Sequence, residues 1–474
     1  MPYLDLAATG RRSGLALALA CVTSFLVVLD AMIVSVALPA MRTDLGLADA
    51  SAPWVINCYT LTFAGVLLLG GRCVDIFGAW RLLGAGTALF TVTSLAAGLA
   101  ANAPELLACR AAQGVGAALM MPAALAALTA TFTEPSERTR ALSVWSAVAA
   151  LGAAAGPILG GVLTSTLGWR WVFFVNVPLG AVAVLGAVAL AQPLVRPGRR
   201  PRLDVVGAVL ITTGLLAVVY AVMRSSGNGW SDLGVVGSAG SGAVLLAVFL
   251  VHQAKVAPEP LFALALLRLR SVAGANAVMF LLGLGFVSSL LILSLDMQYA
   301  TLYSPLRAGL GFLPVGVGMM AGARGAGHLT ERIGPRLTTA VCCTTGAVGL
   351  AWSALALDVD RPYVLTIGLP GVLFGLGGAA AFTPLTVSAT RHVPPSHQGA
   401  AAGLLSTVRQ TSGALGVAVL STVAISWSGD EAAGGTSVAG RVALTHGYAV
   451  ALGLAAGLLL AAAVVAVVGM PKDV

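Results

Sequence analysis

Long apolar runs separated by short polar breaks occupy the chain from residue 15 to residue 469. A helix that crosses a bilayer needs about 20 mostly apolar residues. Fourteen runs meet that requirement: 15–38, 53–71, 81–101, 104–128, 142–166, 171–191, 204–223, 234–253, 273–296, 307–327, 337–357, 362–386, 399–426 and 447–469. They predict fourteen transmembrane helices and leave no stretch long enough for a water-soluble domain. The first run is longer than the apolar part of a secretory signal and lacks a small-residue cleavage site, so it reads as a retained helix.

Composition agrees with that pattern. Of 474 residues, 58% are hydrophobic and only 9% charged, and the mean hydropathy is +0.94, far from the balance of a soluble protein. The net charge of +8 does not imply a nucleic-acid partner, because the basic residues are scattered through the short breaks instead of forming a patch. Their distribution sets orientation instead: eighteen arginines and lysines fall on the side that holds the N-terminus and six on the other. By the positive-inside rule both termini are cytoplasmic, in a multi-pass plasma-membrane protein.

Several chemistries find no support. The six cysteines show no CxxC spacing, the five histidines no zinc spacing, and neither lysine follows the glycine that a Walker A loop requires. No metal, cofactor or nucleotide is expected, and no nucleophile and base stand together in a polar loop, so an enzyme is not expected either.

The chain repeats itself. Gly71-x-x-x-Asp75-x-x-Gly78 returns as Gly327-x-x-x-Glu331-x-x-Gly334, 256 residues later; Pro122 and Pro384 are 262 apart, and Pro135-Ser136 and Pro395-Ser396 are 260 apart. The repeats predict an all-α integral membrane fold of two six-helix bundles, residues 12–192 and 272–470, with an inserted helix pair at 203–253.

Few charged groups stand inside the apolar runs. Asp30 is one, and a charge at a bilayer centre costs about 3 kcal/mol on insertion scales, so it is a candidate functional group; the alternative is a carboxylate satisfied by neighbouring helices. Counting at about 1.5 Å per residue, Arg110 lies about 9 Å below its helix end near Pro104 and Asp30 about 13 Å below Pro39. The two can therefore be neighbours, as a static pair or as one that exchanges arginine for a proton. Arg409 is buried without an acid near it in sequence, and Asp296 sits at the end of its run, where it is either a second proton or substrate site or an interfacial residue.

These residues stand in segments that resemble the major facilitator superfamily, specifically its fourteen-helix drug:proton antiporters. The segment Leu29-Asp30 to Val36-Ala37-Leu38-Pro39 is similar to that branch's first-helix signature, with Ser35 where asparagine is frequent. Gly70 to Arg81 resembles the loop between helices 2 and 3, although Ile76 and Ala79 replace basic residues; Gly327 to Arg336 is closer to pattern. Arg110-Ala111-Ala112-Gln113-Gly114 resembles the fourth-helix motif, and Gly152-Ala153-Ala154-Ala155-Gly156-Pro157-Ile158-Leu159-Gly160-Gly161 the fifth-helix motif of exporters.

The resemblance implies alternating access by a monomer that exchanges protons for a small amphipathic compound, an antibiotic or other drug of the kind that branch exports. It assigns proton coupling to Asp30 and Arg110, and gating to Asp75, Arg81, Glu331 and Arg332. It makes a hinge of Gly152, Gly156, Pro157, Gly160 and Gly161, and a substrate cavity of Asn57, Gln113, Asp296, Arg409 and Gln410. Two rivals remain: a proton-coupled nutrient importer on the same fold, and a membrane enzyme or receptor for lipids. The second would require polar residues clustered at one membrane face.

Overall fold

The computed structural model describes residues 2–47, 51–191, 204–257, 264–391, 393, 398–429 and 437–471. The basic stretch Arg196 to Arg202, the dipeptide Pro395-Ser396 and Lys472 lie outside them, as do the bundle limits at 192 and 203.

Among the described residues all regular structure is helical. The first part of the chain forms α1 (Pro2–Leu45), α2 (Trp54–Phe77), α3 (Ala79–Leu99), α4 (Ala103–Thr131), α5 (Pro135–Thr166), α6 (Trp171–Phe174) and α7 (Asn176–Leu190). Then come α8 (Val205–Asn228) and α9 (Leu233–Val251). The remainder forms α10 (Arg270–Leu295), α11 (Pro305–Leu310), α12 (Leu313–Ala356), α13 (Leu369–Ala380), α14 (Phe382–Arg391), α15 (Gln398–Ser428) and α16 (Val438–Gly469). Eleven helical stretches among the described residues are long and apolar enough to cross a membrane. Large apolar side chains such as Leu185, Val236, Leu355 and Val468 remain more than half exposed, as expected where hydrocarbon is the solvent.

Prolines and glycines account for most departures from the expected runs. The run 171–191 is divided at Val175 into α6 and α7, because Pro178 has no N–H to bond the Phe174 carbonyl. The run 362–386 breaks at Ala381, near Pro384, and continues to Arg391. Two breaks expected as loops are single glycines. Gly78 (φ 79, ψ 148) joins α2 to α3, and Gly334 (φ 78, ψ 159) bends α12. This backbone region is accessible essentially to glycine alone, and the two positions are the ones that correspond in the sequence repeat.

Buried apolar side chains gather in separate clusters. One, around Phe63, Leu83, Phe90 and Met120, lies among α1 to α5. A larger one, around Met279, Phe286, Phe374, Leu452 and Leu459, lies among α10 and α12 to α16. Helix α8 packs against both α2 and α15, where Leu61, Leu215, Val219, Met223, Ala414 and Ala418 form a small core. Close approach there depends on small residues: a Cβ on Gly65 would lie within 1.9 Å of Thr212 Oγ1.

The ends of α8 and α9 are tied together. Asp204, the N-cap of α8, accepts from the Gly207 amide at 2.8 Å, faces His252 Nε2 at 2.8 Å and accepts from Gln253 Nε2. Burial pushes the Asp204 carboxyl up, but these three partners outweigh it and hold it below its ordinary value. A depressed folded-state pKa stabilises above the unfolded value and loses its contribution as the pH falls through the folded one. The melting-temperature gap between wild type and Asp204→Asn in detergent is therefore expected to be full at pH 7 and to close below about pH 4.

Candidate functional site

Asp30 is fully buried, and side chains from α4 and α7 converge on it. Arg110 Nη1 on α4 lies 2.6 Å from Asp30 Oδ2, while Gln113 Nε2, one helical turn further, donates to Asp30 Oδ1 at 2.9 Å. Asn176 Nδ2, at the start of α7, donates to the same Oδ1 at 3.0 Å and to Ser94 Oγ on α3 at 3.1 Å. Arg110 also donates through Nε to the Val55 carbonyl of α2 and through Nη1 to Gln113 Oε1. Its guanidinium stands 4.4 Å over the Tyr59 ring and 5.7 Å from that of Phe173.

Charge-assisted bonds of this kind are the strong ones. Removing one partner of a buried ion pair costs about 3–5 kcal/mol because the other charge is left uncompensated. As it stands, the carboxylate accepts from three donors. A proton that displaced Arg110 would free the guanidinium and loosen α4 from α1 and α2.

The site lies inside the first bundle rather than on a cavity between bundles. Gln113, expected to line the substrate cavity, is instead an Asp30 ligand. Asn57, expected there too, is buried against α8, with Nδ2 3.5 Å from Met223 Sδ and Oδ1 unbonded. The pattern of α2 alone could not show that an inserted helix would cover that face.

A small cavity of about 10 Å³, room for about one water molecule, is lined by Met32 and Ser35 of α1, Ala153 and Pro157 of α5, Leu290 of α10, and Phe312, Val315, Gly316 and Met319 around α12. It is almost wholly apolar, with two flexible methionines that suit varied shapes. Arg409 and Gln410 are half-buried on α15; the Arg409 guanidinium stands 5.5 Å over Phe382, within an aromatic group completed by Phe286 and Phe374.

The fifth-helix glycines form a packing seam. A Cβ on Gly152, Gly156 or Gly160 would meet Phe25 O at 3.1 Å, Met32 Cβ at 2.5 Å or Ile33 O at 2.7 Å, all on α1. Gly161 faces another way: its Cβ would lie 2.4 Å from Pro305 O, and a Cβ on Gly309 would lie 2.5 Å from Pro157 O. Backbone meets backbone here between α5 and α11, at the far face, opposite the one where α1 begins.

Other contacts close the same face. Pro39 has no N–H, so the Ser35 carbonyl four residues earlier is free, and Ser294 Oγ of α10 donates to it at 3.2 Å. The Arg42 guanidinium lies 5.3 Å over the Tyr299 ring. Of the expected gating groups, Arg81, Glu331 and Arg332 are exposed, and the Asp75 side chain lies outside what is described. Gly70, from the same motif, packs on the Ala118 carbonyl that Pro122 frees on α4.

Sequence reasoning missed Asn176, Ser94 and Tyr59. The signal for Asn176 was an amide in an otherwise apolar segment, two residues before Pro178.

A helical membrane bundle with a buried acid–arginine pair and a cavity between two clusters defines a transporter. The chain belongs to the Major Facilitator Superfamily, whose model matches residues 20–417. It is 44% identical over 410 residues to the cephamycin export protein of Amycolatopsis lactamdurans, covering 86% of this chain and 84% of that one. It is 41% identical to the puromycin resistance protein of Streptomyces alboniger (93% and 88% covered) and 33% to the tetracenomycin C resistance and export protein of Streptomyces glaucescens (85% and 74%). A crystal structure of peptide transporter POT in complex with sulfate superposes with a TM-score of 0.66 at 15% identity, covering 96% of this chain and 95% of that chain. The similarity extends to the fold alone.

Proposed function

We propose that this protein exports a small antibiotic in exchange for protons by alternating access, with fourteen membrane crossings and both termini in the cytoplasm. The observation that carries the reading is Asp30, a buried carboxylate held at 2.6 Å by Arg110 in a chain whose relatives are named for antibiotic export and resistance. Protonation of Asp30 removes the charge that anchors Arg110, which gives proton binding a mechanical effect on α1, α2 and α4.

The far face is extracellular in this reading, and the α5–α11 contact is its gate. The two bundles, 12–192 and 272–470, move about the apolar cavity, and the inserted pair 203–253 rides on the α2–α15 seam. Arg110 is neutralised by Asp30, and Arg409 places a further cation near the second aromatic group. That arrangement suits neutral, zwitterionic or anionic compounds better than dications.

Everted membrane vesicles test the direction. An inwardly acidified lumen is expected to drive accumulation of a cephamycin or puromycin in vesicles that contain the protein and not in empty ones. Proton-driven depletion would instead support a nutrient importer on this fold.

A further inference from the structure

Asp296 is the second buried acid, and its surroundings contrast with those of Asp30. It is 1% exposed and closes α10, yet its Oδ1 has no hydrogen-bond partner and its carboxyl has no ion pair among the described residues. A buried carboxylate without a counter-charge is strongly disfavoured against its neutral form.

The charged and titratable groups on the surrounding elements are engaged elsewhere. From α1, Arg42 stands over Tyr299, and Asp44 is 2.6 Å from Arg170. From α11, Arg307 stands 4.0 Å over the Tyr303 ring. From α16, Arg441 Nε donates to the Ala300 carbonyl at 2.6 Å, His446 Nδ1 lies 3.2 Å from the Trp427 carbonyl, and Tyr448 is buried. On α10 itself the Ser294 hydroxyl donates to the Ser35 carbonyl, and Gln298 Nε2, just beyond its end, donates to Ser294.

The backbone changes character at the same residue. The α-helix gives way to a π-helical turn over Asp296–Ala300, an arrangement frequent at functional positions. Leu302 follows with φ 55, the only non-glycine residue with positive φ among those described, and such strain collects at switch segments. Three residues later begins α11, which carries the backbone contacts to Gly161 and Pro157. A buried acid, an irregular turn and a strained residue thus lead directly into the segment that seals the far face.

We propose that Asp296 is a proton-operated latch: its carboxyl is neutral while α11 is docked on α5, and its ionisation releases α11 and opens the far face. In the opening step the Asp296 O–H bond breaks and the proton passes to water entering the opened face; reprotonation there permits closure. The latch rests on the proposed export cycle for its physiological direction, since it links closure of the extracellular gate to an external proton, but its structural effect does not require transport.

The test is the distance between spin labels at Thr43→Cys and Leu306→Cys, both exposed on the far face. It uses the full chain with its own six cysteines replaced, in lipid nanodiscs, from about pH 5 to pH 9. With Asp296 present, the distance distribution is expected to shift from short to long as the pH rises. Asp296→Asn, which mimics the neutral acid, is expected to remain short throughout, while Asp296→Glu restores the shift. Asp30→Asn is expected to lose proton-driven export and keep the shift. An unchanged shift in Asp296→Asn, or no shift with Asp296 intact, overturns the latch. A shift that depends on Asp296 in a protein without export supports the latch and removes only the transport reading.

Discussion

Asp30→Asn is expected to reduce proton-driven antibiotic uptake into everted vesicles by at least about tenfold, the equivalent of about 1.4 kcal/mol, while the protein still reaches the membrane. The amide is the same size and its carbonyl can still accept from Gln113 and Asn176, which both donate to Asp30 Oδ1. What disappears is the charge opposite Arg110, now a buried guanidinium with only the Val55 carbonyl and Gln113 Oε1 as acceptors. Thermal stability should fall with it, by up to about 3–5 kcal/mol.

The double variant Asp30→Asn with Arg110→Gln separates the two effects. Removing both charges relieves the uncompensated guanidinium, so stability returns towards wild type and the cycle shows a large coupling energy. Transport driven by the proton gradient does not return, because the titrating group is gone. If the double variant exports like wild type under a pH gradient, Asp30 is not the proton carrier and the proposed cycle fails.

Gly161→Val is the second large effect. A Cβ at this position meets Pro305 O at 2.4 Å, and real Cβ atoms do not approach a backbone oxygen so closely. The far face therefore cannot close, and resistance conferred on a susceptible host is expected to fall to the level of the empty host. Gly457→Ala, where an added Cβ meets nothing within 4 Å, should leave resistance unchanged and serves as the matched control. Comparable membrane levels of the two variants would place the defect in closure instead of folding. Full resistance in Gly161→Val would mean that the α5–α11 contact is dispensable.

The legible part of the candidate site was the part that follows from position along a helix. Asp30 and Arg110 were predicted to share a level because rise per residue is constant in a helix, and 2.6 Å separates their charged atoms. Gly78 and Gly334 were visible as a repeated pair, and their nearly equal backbone angles are the structural form of that repeat. Asn57 and Gln113 looked alike in the sequence, as amides in apolar runs, yet one faces α8 and the other Asp30. Nothing local separates those outcomes, because the direction in which a helix turns its faces is set by its neighbours.

Helical character, membrane residence and the costly placement of Asp30 are determined by the sequence alone, since each follows from the hydrophobicity of about twenty consecutive residues and from the cost of placing charge among them. The sequence left Asp296 open between a buried site and an interfacial acid. The partners of those acids were decided only by tertiary structure. Asn176 reaches Asp30 across 146 positions of chain and Ser294 reaches Ser35 across 259, whereas Asp296 ends with an unpartnered oxygen. The physical reason is that a buried polar group's state depends on which donors the packing of distant helices brings within about 3 Å.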